Sequence, residues 1–330
     1  MQDISMILQL FGGLALFLYG MDSMSRAVQQ GAGKRLRKLL ARCTANPAAG
    51  LLTGAAVTAV LQSSSAVTVM VIAFLAAGLL QLRQAVPVVF GANIGTTITA
   101  QLLAFQVEKG RYLLLFCGVL LCFACKSQKG RCLGEAVFGF GLLFEGITVM
   151  SGALQPLAAD PQLWQKLAQV QHSPVRGLLA GLCMTLTVQS SSATIAMLQS
   201  FAAQPGPDGV HSLLGLAGAI PVLLGDNIGT TITAILASIG QGRDAKRVAA
   251  AHAIFNLTGA AVCCAVLGPF TVLVQRLSPA GPECAVIARQ IANAHTLFNV
   301  CCALVWLPLT GQMVKLVTAL LPERSGTQQL

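Results

Sequence analysis

The chain has 330 residues, of which 55% are apolar and only 10% charged, with a mean hydropathy of +0.73. Soluble proteins carry roughly 25% charged residues, and 21 basic plus 11 acidic side chains cannot cover the surface of a soluble chain this long. That excludes a soluble protein and leaves an all-α integral membrane protein, which the 33 glycines and 5% aromatics also suit. The net charge of +10 does not read as nucleic-acid binding, because the basic residues sit between apolar runs and set topology instead.

In chain order, the first apolar run (4–25) follows acidic Asp3 and lacks a basic leader, so it predicts a retained first span. Segment 26–46, with GAGKRLRKLLARC at its centre, predicts a basic amphipathic helix lying against anionic lipid. Further spans are expected at 84–106, 112–126, 132–153, 212–238, 247–270 and 287–309. The run at 112–126 is short against the ~20 residues a span needs. Segments 48–80 and 175–203 differ, because each is apolar at both ends with QSSS in the middle, and each arm is too short to cross. A polar tip at membrane depth is tolerable only where it faces protein or a cavity, so both read as re-entrant hairpins.

With seven spans and the N-terminus outside, 15 Lys and Arg residues fall inside and 6 outside. This positive-inside bias orients the chain N-out and C-in. The eleven cysteines fall mostly inside apolar runs, and the Cys122/Cys125 CxxC has no second pair or nearby His to complete a metal set.

The strongest feature is an internal duplication. Met24–Gln29 matches Met150–Gln155, Gly20 matches Gly146, and Gln62–Ala66 matches Gln189–Ala193. Gly91-Ala92-Asn93-Ile94-Gly95-Thr96-Thr97-Ile98-Thr99-Ala100 matches Gly225-Asp226-Asn227-Ile228-Gly229-Thr230-Thr231-Ile232-Thr233-Ala234 at nine of ten positions. The expected organisation is one transport domain over 1–330. Within it lie repeat 1 at 5–127 (hairpin 48–80), repeat 2 at 132–270 (hairpin 175–203), a final span at 285–310 and a short cytoplasmic tail at 311–330. Three spans separate the starts of the two units, and an odd number inverts the second. Each inverted unit is then a re-entrant helical hairpin plus a transmembrane helix interrupted at G-x-N-I-G-T-T, an arrangement that builds a midplane binding site. A smaller echo, Ala251–Asn256 and Ala294–Asn299, puts His and Asn four apart on one helical face. These polar positions either hold helices together or act directly in transport.

At each QSSS the chain must turn and start a second short helix. Ser is a favoured N-cap, and the first-turn N–H groups carry partial positive charge. Two such ends meeting at mid-membrane make an oxyanion cavity. Its donors are the hydroxyls of Ser63, Ser64, Ser65, Ser190, Ser191 and Ser192, with the amides of Gln62 and Gln189 and, in second rank, Thr68 and Thr194. The bland alternative is that QSSS forms only caps and interhelical hydrogen bonds. In the G-x-N-I-G-T-T segments, glycines that break the helix would free carbonyls. Together with Asn93, Thr96, Thr97, Asn227, Thr230 and Thr231 these are hard oxygen ligands for Na⁺, unless the glycines serve a close helix crossing instead. Asp226, whose counterpart is Ala92, is an acid inside a span. It could ligate a cation, carry a proton or pair with a buried His. Glu145, Glu135 and Asp22 lie nearer membrane faces and read as structural.

The paired QSSS and G-x-N-I-G-T-T motifs resemble the sodium-dependent phosphate cotransporter family, which includes bacterial members and the animal type II transporters. The likeness covers about residues 5–310. It implies sodium:inorganic phosphate symport by alternating access, with phosphate at Gln62–Ser65 and Gln189–Ser192 and Na⁺ as the coupling ion. The Na⁺ candidates are Ser65, Asn93, Thr96, Ser192, Asn227 and Thr230, with Thr97, Asp226 and Thr231 beside them. It also implies a multi-pass protein of the bacterial inner membrane, contacting lipid but no nucleic acid, with no enzymatic activity and no organic cofactor. A homodimer and a separate phosphate-uptake-regulator-like protein are the candidate protein partners, since many bacterial relatives carry such a domain after the membrane part and Leu330 ends this chain without one. The alternative function is transport of another oxyanion or small carboxylate, proton-coupled or working in export.

Overall fold

Residues 2–42, 46–105, 110–158, 173–206 and 211–323 are described by a computed structural model in which fourteen helices account for nearly all of the described chain. The first, α1 (Gln2–Arg42), is 41 residues long and runs straight through into the segment expected as a separate basic helix. The side chains of 32–39 lie outside the described residues, as do residues 43–45.

Each QSSS joins two short helices. Helix α2 (Pro47–Leu61) starts on an Asn46 cap with Pro47 at its first position, where a missing N–H costs nothing. It ends at Gln62, which turns the chain in the left-handed region (φ 54°), and α3 (Ser64–Ala76) begins with Ser63 as N-cap. After α4 (Leu82–Leu103), α5 (Arg111–Ala124) and α6 (Gln128–Ala158), the pattern repeats. Helix α7 (Pro174–Val188) ends at Gln189 (φ 54°), and α8 (Ser191–Ala202) begins on the Ser190 cap. Gln62 and Gln189 are the only non-glycine residues with positive φ among the described residues.

The G-x-N-I-G-T-T segments correct one expectation. The first lies wholly within α4, an unbroken 22-residue helix. The second spans the junction of α9 (Gly215–Gly229) and α10 (Thr231–Ser238), where Thr230 keeps helical dihedrals (φ −57°, ψ −25°). No stretch of carbonyls is unwound. The glycines serve close approach instead. A Cβ on Gly91 would stand 1.9 Å from the Leu51 carbonyl oxygen, and one on Gly54 2.0 Å from that of Val88. The second copy repeats this, with Gly225 against Leu178 and Gly181 against Val222, both at 1.9 Å. Each span is thus locked backbone-to-backbone onto the first arm of its own hairpin, the packing that small residues allow between membrane helices.

Helices α1 and α6 run antiparallel and pack through reciprocal glycines. A Cβ on Gly13 would meet the Gly146 oxygen at 2.8 Å, and one on Gly20 the Gly139 oxygen at 2.6 Å. In the repeat alignment Gly13 corresponds to Gly139 and Gly20 to Gly146, so each contact is the image of the other.

The remaining helices are α11 (Arg243–Ala265), α12 (Leu267–Arg276), α13 (Glu283–Trp306) and α14 (Thr310–Leu320). Phe90 of α4 stacks on Phe255 of α11 with ring centroids 4.8 Å apart, both fully buried. Five helices are long and apolar enough to cross a membrane, or six if α13 and α14, bent by 84°, count as one. Seven were expected. Two expected spans differ: α5, whose 14 residues rise only about 21 Å against a hydrocarbon core of about 30 Å, and 287–309, which lies in α13 and qualifies only when taken together with α14. The expected tail at 311–330 is also corrected. Residues 310–320 form α14, which buries Thr310, Met313 and Val317 against the core, because Met and Val recur there at helical spacing. Residues 324–330 lie outside the described chain.

Candidate functional site

The two turns converge. A single cavity of about 240 Å³ is lined by all eight residues Gln62–Ser65 and Gln189–Ser192, together with Leu18, Met21, Asp22 and Ser25 of α1 and Thr96 of α4. At about 30 Å³ per water it has room for roughly eight waters, and so for a tetrahedral oxyanion with part of its hydration.

The chemistry of its wall follows from the caps. The Ser63 hydroxyl oxygen accepts from the Ala66 N–H (3.2 Å) and the Ser63 carbonyl accepts from Val67 N–H (3.3 Å). In the second hairpin Ser190 does the same for Ala193 (3.3 Å) and Thr194 (3.0 Å). Each cap is worth about 1 kcal/mol of helix stability. The first-turn N–H groups of Ser64, Ser65, Ser191 and Ser192 have no intrahelical acceptor, and these residues line the cavity. Two helix N-termini, each equivalent to roughly half a positive charge, therefore abut the same space. Among the described residues no Lys or Arg lines it; Arg26, one turn beyond, is paired with Asp22 at 2.8 Å.

The hydroxyls divide by what they already hold. Ser63 and Ser190 serve as caps, and Ser65 Oγ donates to Thr233 Oγ1 across the repeats at 3.2 Å. Of the six QSSS hydroxyls, those of Ser64, Ser191 and Ser192 neither cap nor make that bond. The Gln62 amide is tied at both ends, its nitrogen donating to the Ala59 carbonyl and its oxygen accepting from Thr99 Oγ1 at 2.8 Å. Gln189 stands more exposed at the opposite turn.

Of the G-x-N-I-G-T-T residues, only Thr96 reaches the cavity. The others lie behind it, and their side chains bond their own helix or a neighbour. Thr96 and Thr230 donate to the carbonyls of Ala92 (3.1 Å) and Asp226 (2.9 Å), Thr97 and Thr231 to those of Ile94 and Ile228 (2.7 Å each). A hydroxyl used this way keeps lone pairs for a cation. Asn93 Nδ2 donates to the Val89 carbonyl (3.0 Å), and Asn227 Nδ2 to that of Leu223 (2.9 Å). Each Asn oxygen then faces a His from the smaller echo. His252 Nε2 lies 3.0 Å from Asn93 Oδ1 and His295 Nε2 3.3 Å from Asn227 Oδ1. Since both oxygens are acceptors, each Nε2 carries the hydrogen. The His and Asn echo therefore fastens α11 and α13 onto the motif asparagines, one per repeat.

Asp226 is 1% exposed and accepts from Thr185 Oγ1 at 2.6 Å through one oxygen, while its Oδ2 has no partner among the described residues. Thr194 lies 3.2 Å from the same Thr185 hydroxyl. The equivalent positions in repeat 1 are Thr58, Val67 and Ala92. Thr68 is buried away from the cavity. Glu145 bonds Arg111 at 2.6 Å.

Sequence reasoning missed Ser25, Thr99, Thr185 and the lining position of Asp22. Ser25 Oγ donates to the Leu61 carbonyl at 2.9 Å, next to the first turn. The signal was present, because Met24–Gln29 is itself a repeated block, but repetition alone gave it no role. Its image on α6 lines a second cavity of about 260 Å³, with Phe144, Ile147, Thr148 and Ser151 at the positions equivalent to Leu18, Met21, Asp22 and Ser25. There the facing wall comes from Ala196, Gln199, Ser200 and Ala203, farther along α8 than the turn.

The profile of the Na⁺/Pi-cotransporter family matches twice, over residues 16–152 and 145–292. The chain belongs to the Na⁺/Pi-cotransporter family. It is 34% identical over 275 residues to "Uncharacterized protein YqeW" of Bacillus subtilis, covering 83% of this chain and 87% of that one. It is 27% identical over 256 residues to "Putative inorganic phosphate export protein YjbB" of Escherichia coli K12, covering 78% of this chain and 46% of that protein. Human "Sodium-dependent phosphate transport protein 2B" is 37% identical over 107 residues, 32% of this chain and 16% of that protein. The chain thus spans most of YqeW but about half of YjbB. No solved structure matches it. Membership of the Na⁺/Pi-cotransporter family makes phosphate transport its broad function, and the apolar helices make it a multi-pass membrane protein.

Proposed function

We propose that the protein moves inorganic phosphate across the membrane together with Na⁺ by alternating access, binding the anion between the two QSSS turns. The observation that carries this reading is the single cavity bounded by both turns. Neutral hydroxyls, amide N–H groups and helix ends bind an anion without a fixed cation, which suits a site that must also release it. Na⁺ is assigned to oxygens at and behind the same wall: Ser65, Thr96 and Ser192 at the cavity, with Asn93, Asn227, Thr230 and the acid Asp226 behind.

The reciprocal α1–α6 contacts support an inverted pair of repeats, since a two-fold axis that reverses helix direction lies in the membrane plane. The two cavities support alternation. They use equivalent residues of α1 and α6, yet one opens at the hairpin turns and the other along α8. Exchanging the roles of the repeats would bring Thr148 and Ser151 to the turns and move Asp22 and Ser25 away from them. With the N-terminus outside, which the distribution of basic residues favours when α5 is counted as a crossing, the cavity at the turns faces the cytoplasm.

With an impermeant maleimide applied to sealed vesicles of each orientation in turn, Ser25→Cys labelled from the cytoplasmic face and Ser151→Cys labelled from the opposite face are expected to change in opposite directions when Na⁺ and phosphate are added, as read by mass spectrometry. Parallel changes, or none, would contradict alternation. Export instead of uptake is the second reading, favoured by the name of the YjbB relatives. It uses the same site, with direction set by the gradients.

A further inference from the structure

Asp22 poses a problem for an anion site. It lines the cavity that both QSSS turns enclose, and it is the one acidic residue among the described lining residues. Its partner Arg26 holds Asp22 Oδ2 at 2.8 Å. The other side chains and the backbone N–H groups at the turns either only donate, as the N–H groups of Ser64, Ser65, Ser191 and Ser192 do, or can do both, as hydroxyls do. Such a wall fits any tetrahedral oxyanion. Gln189 does not narrow the choice either, because a rotated amide offers its donor or its acceptor end to suit. A carboxylate offers acceptors alone.

We propose that Asp22 is the specificity-determining residue of the cavity, accepting a hydrogen bond from a protonated oxygen of the bound anion and so admitting phosphate-class anions while rejecting sulfate-class ones. Inorganic phosphate and arsenate carry at least one O–H hydrogen at neutral pH; sulfate and selenate carry none. Against phosphate, Asp22 gains a hydrogen bond. Against sulfate, the same carboxylate faces a bare negative oxygen, and the discrimination comes from the repulsion as much as from the missing bond. Arg26 keeps the pair electrically balanced, so the acid does not expel anions in general. The asymmetry of the repeats agrees with a role at one mouth, because the image of Asp22 on α6 is Thr148, which donates its hydroxyl hydrogen to the Phe144 carbonyl at 2.9 Å. This inference rests on the cavity being the phosphate site.

The test is competition at fixed neutral pH, with radiolabelled phosphate bound to the purified full chain and displaced by arsenate or sulfate. Wild-type protein is expected to be displaced by arsenate but weakly by sulfate. Asp22→Asn, which keeps the shape and removes the charge, is expected to raise the potency of sulfate by about tenfold or more relative to arsenate, a modest figure because the Asp22 side chain is 60% exposed and solvent screens it. Asp22→Glu is expected to keep the discrimination. If Asp22→Asn binds phosphate and still excludes sulfate as wild type does, the assignment of Asp22 is overturned and the reading of the cavity stands. If wild-type protein binds no phosphate, both are overturned.

Discussion

Ser64→Ala combined with Ser191→Ala is expected to weaken phosphate binding by about a hundredfold or more while the protein still folds and inserts. The two hydroxyls line the cavity from opposite turns, and neither caps its helix, because Ser63 and Ser190 do that. A hydrogen bond to a charged group is worth about 1.5–3 kcal/mol, and each 1.4 kcal/mol is tenfold in affinity. Either single variant therefore costs about tenfold, and the pair multiplies. Titration calorimetry on purified protein measures the affinity, and a melting curve checks the fold. A folded double variant with wild-type phosphate affinity would remove the site from the QSSS turns. The choice of Ser64 and Ser191 over Ser63 and Ser190 matters, since loss of a cap would confuse lost binding with a loosened turn.

Asp226→Asn is expected to lower the apparent affinity for Na⁺ by about tenfold or more, with phosphate binding at saturating Na⁺ little changed. The acid is buried in a candidate span, with one oxygen held by Thr185 at 2.6 Å and the other without a partner among the described residues. An ionisable group in such a place is costly and is kept where it meets a cation or a proton. Even at an effective dielectric of 20, a unit charge 4 Å from a cation contributes about 4 kcal/mol, so losing a fraction of that is visible. Asn preserves the acceptor toward Thr185 and the side-chain volume, which isolates the charge. Uptake measured against Na⁺ concentration decides it, and an unchanged Na⁺ dependence would leave Asp226 a structural partner of Thr185.

Much of the architecture was legible because membrane segments obey few rules. A polar QSSS between two short apolar arms has little choice but to turn, and Ser at the start of a helix has little choice but to cap it. The duplication made both turns visible at once. What the sequence left open was geometry that composition does not encode. Gly91 and Gly95 are compatible with a broken helix or with a close crossing. Only the 1.9 Å that a Cβ on Gly91 would leave to the Leu51 oxygen shows which applies. Asp22 looked structural because it lies near the end of an apolar run; its place on the cavity wall depends on how α1 packs beside the hairpins. The short α5 and the turn into α14 were hidden for a related reason, since apolar residues suit lipid, a helix core and a packed interfacial helix alike. The His and Asn pairs were recognised as an echo, but their bonds to Asn93 and Asn227 span more than sixty residues of sequence.

The central claim is that phosphate crosses through this protein with Na⁺, and flux tests it most directly. Purified protein in sealed liposomes would be given labelled phosphate at fixed pH, with and without an inward Na⁺ gradient. The account predicts phosphate accumulation that requires the gradient, and that Ser64→Ala with Ser191→Ala abolishes it at low phosphate concentration. Phosphate movement indifferent to Na⁺, or none from protein shown to be folded, would contradict it.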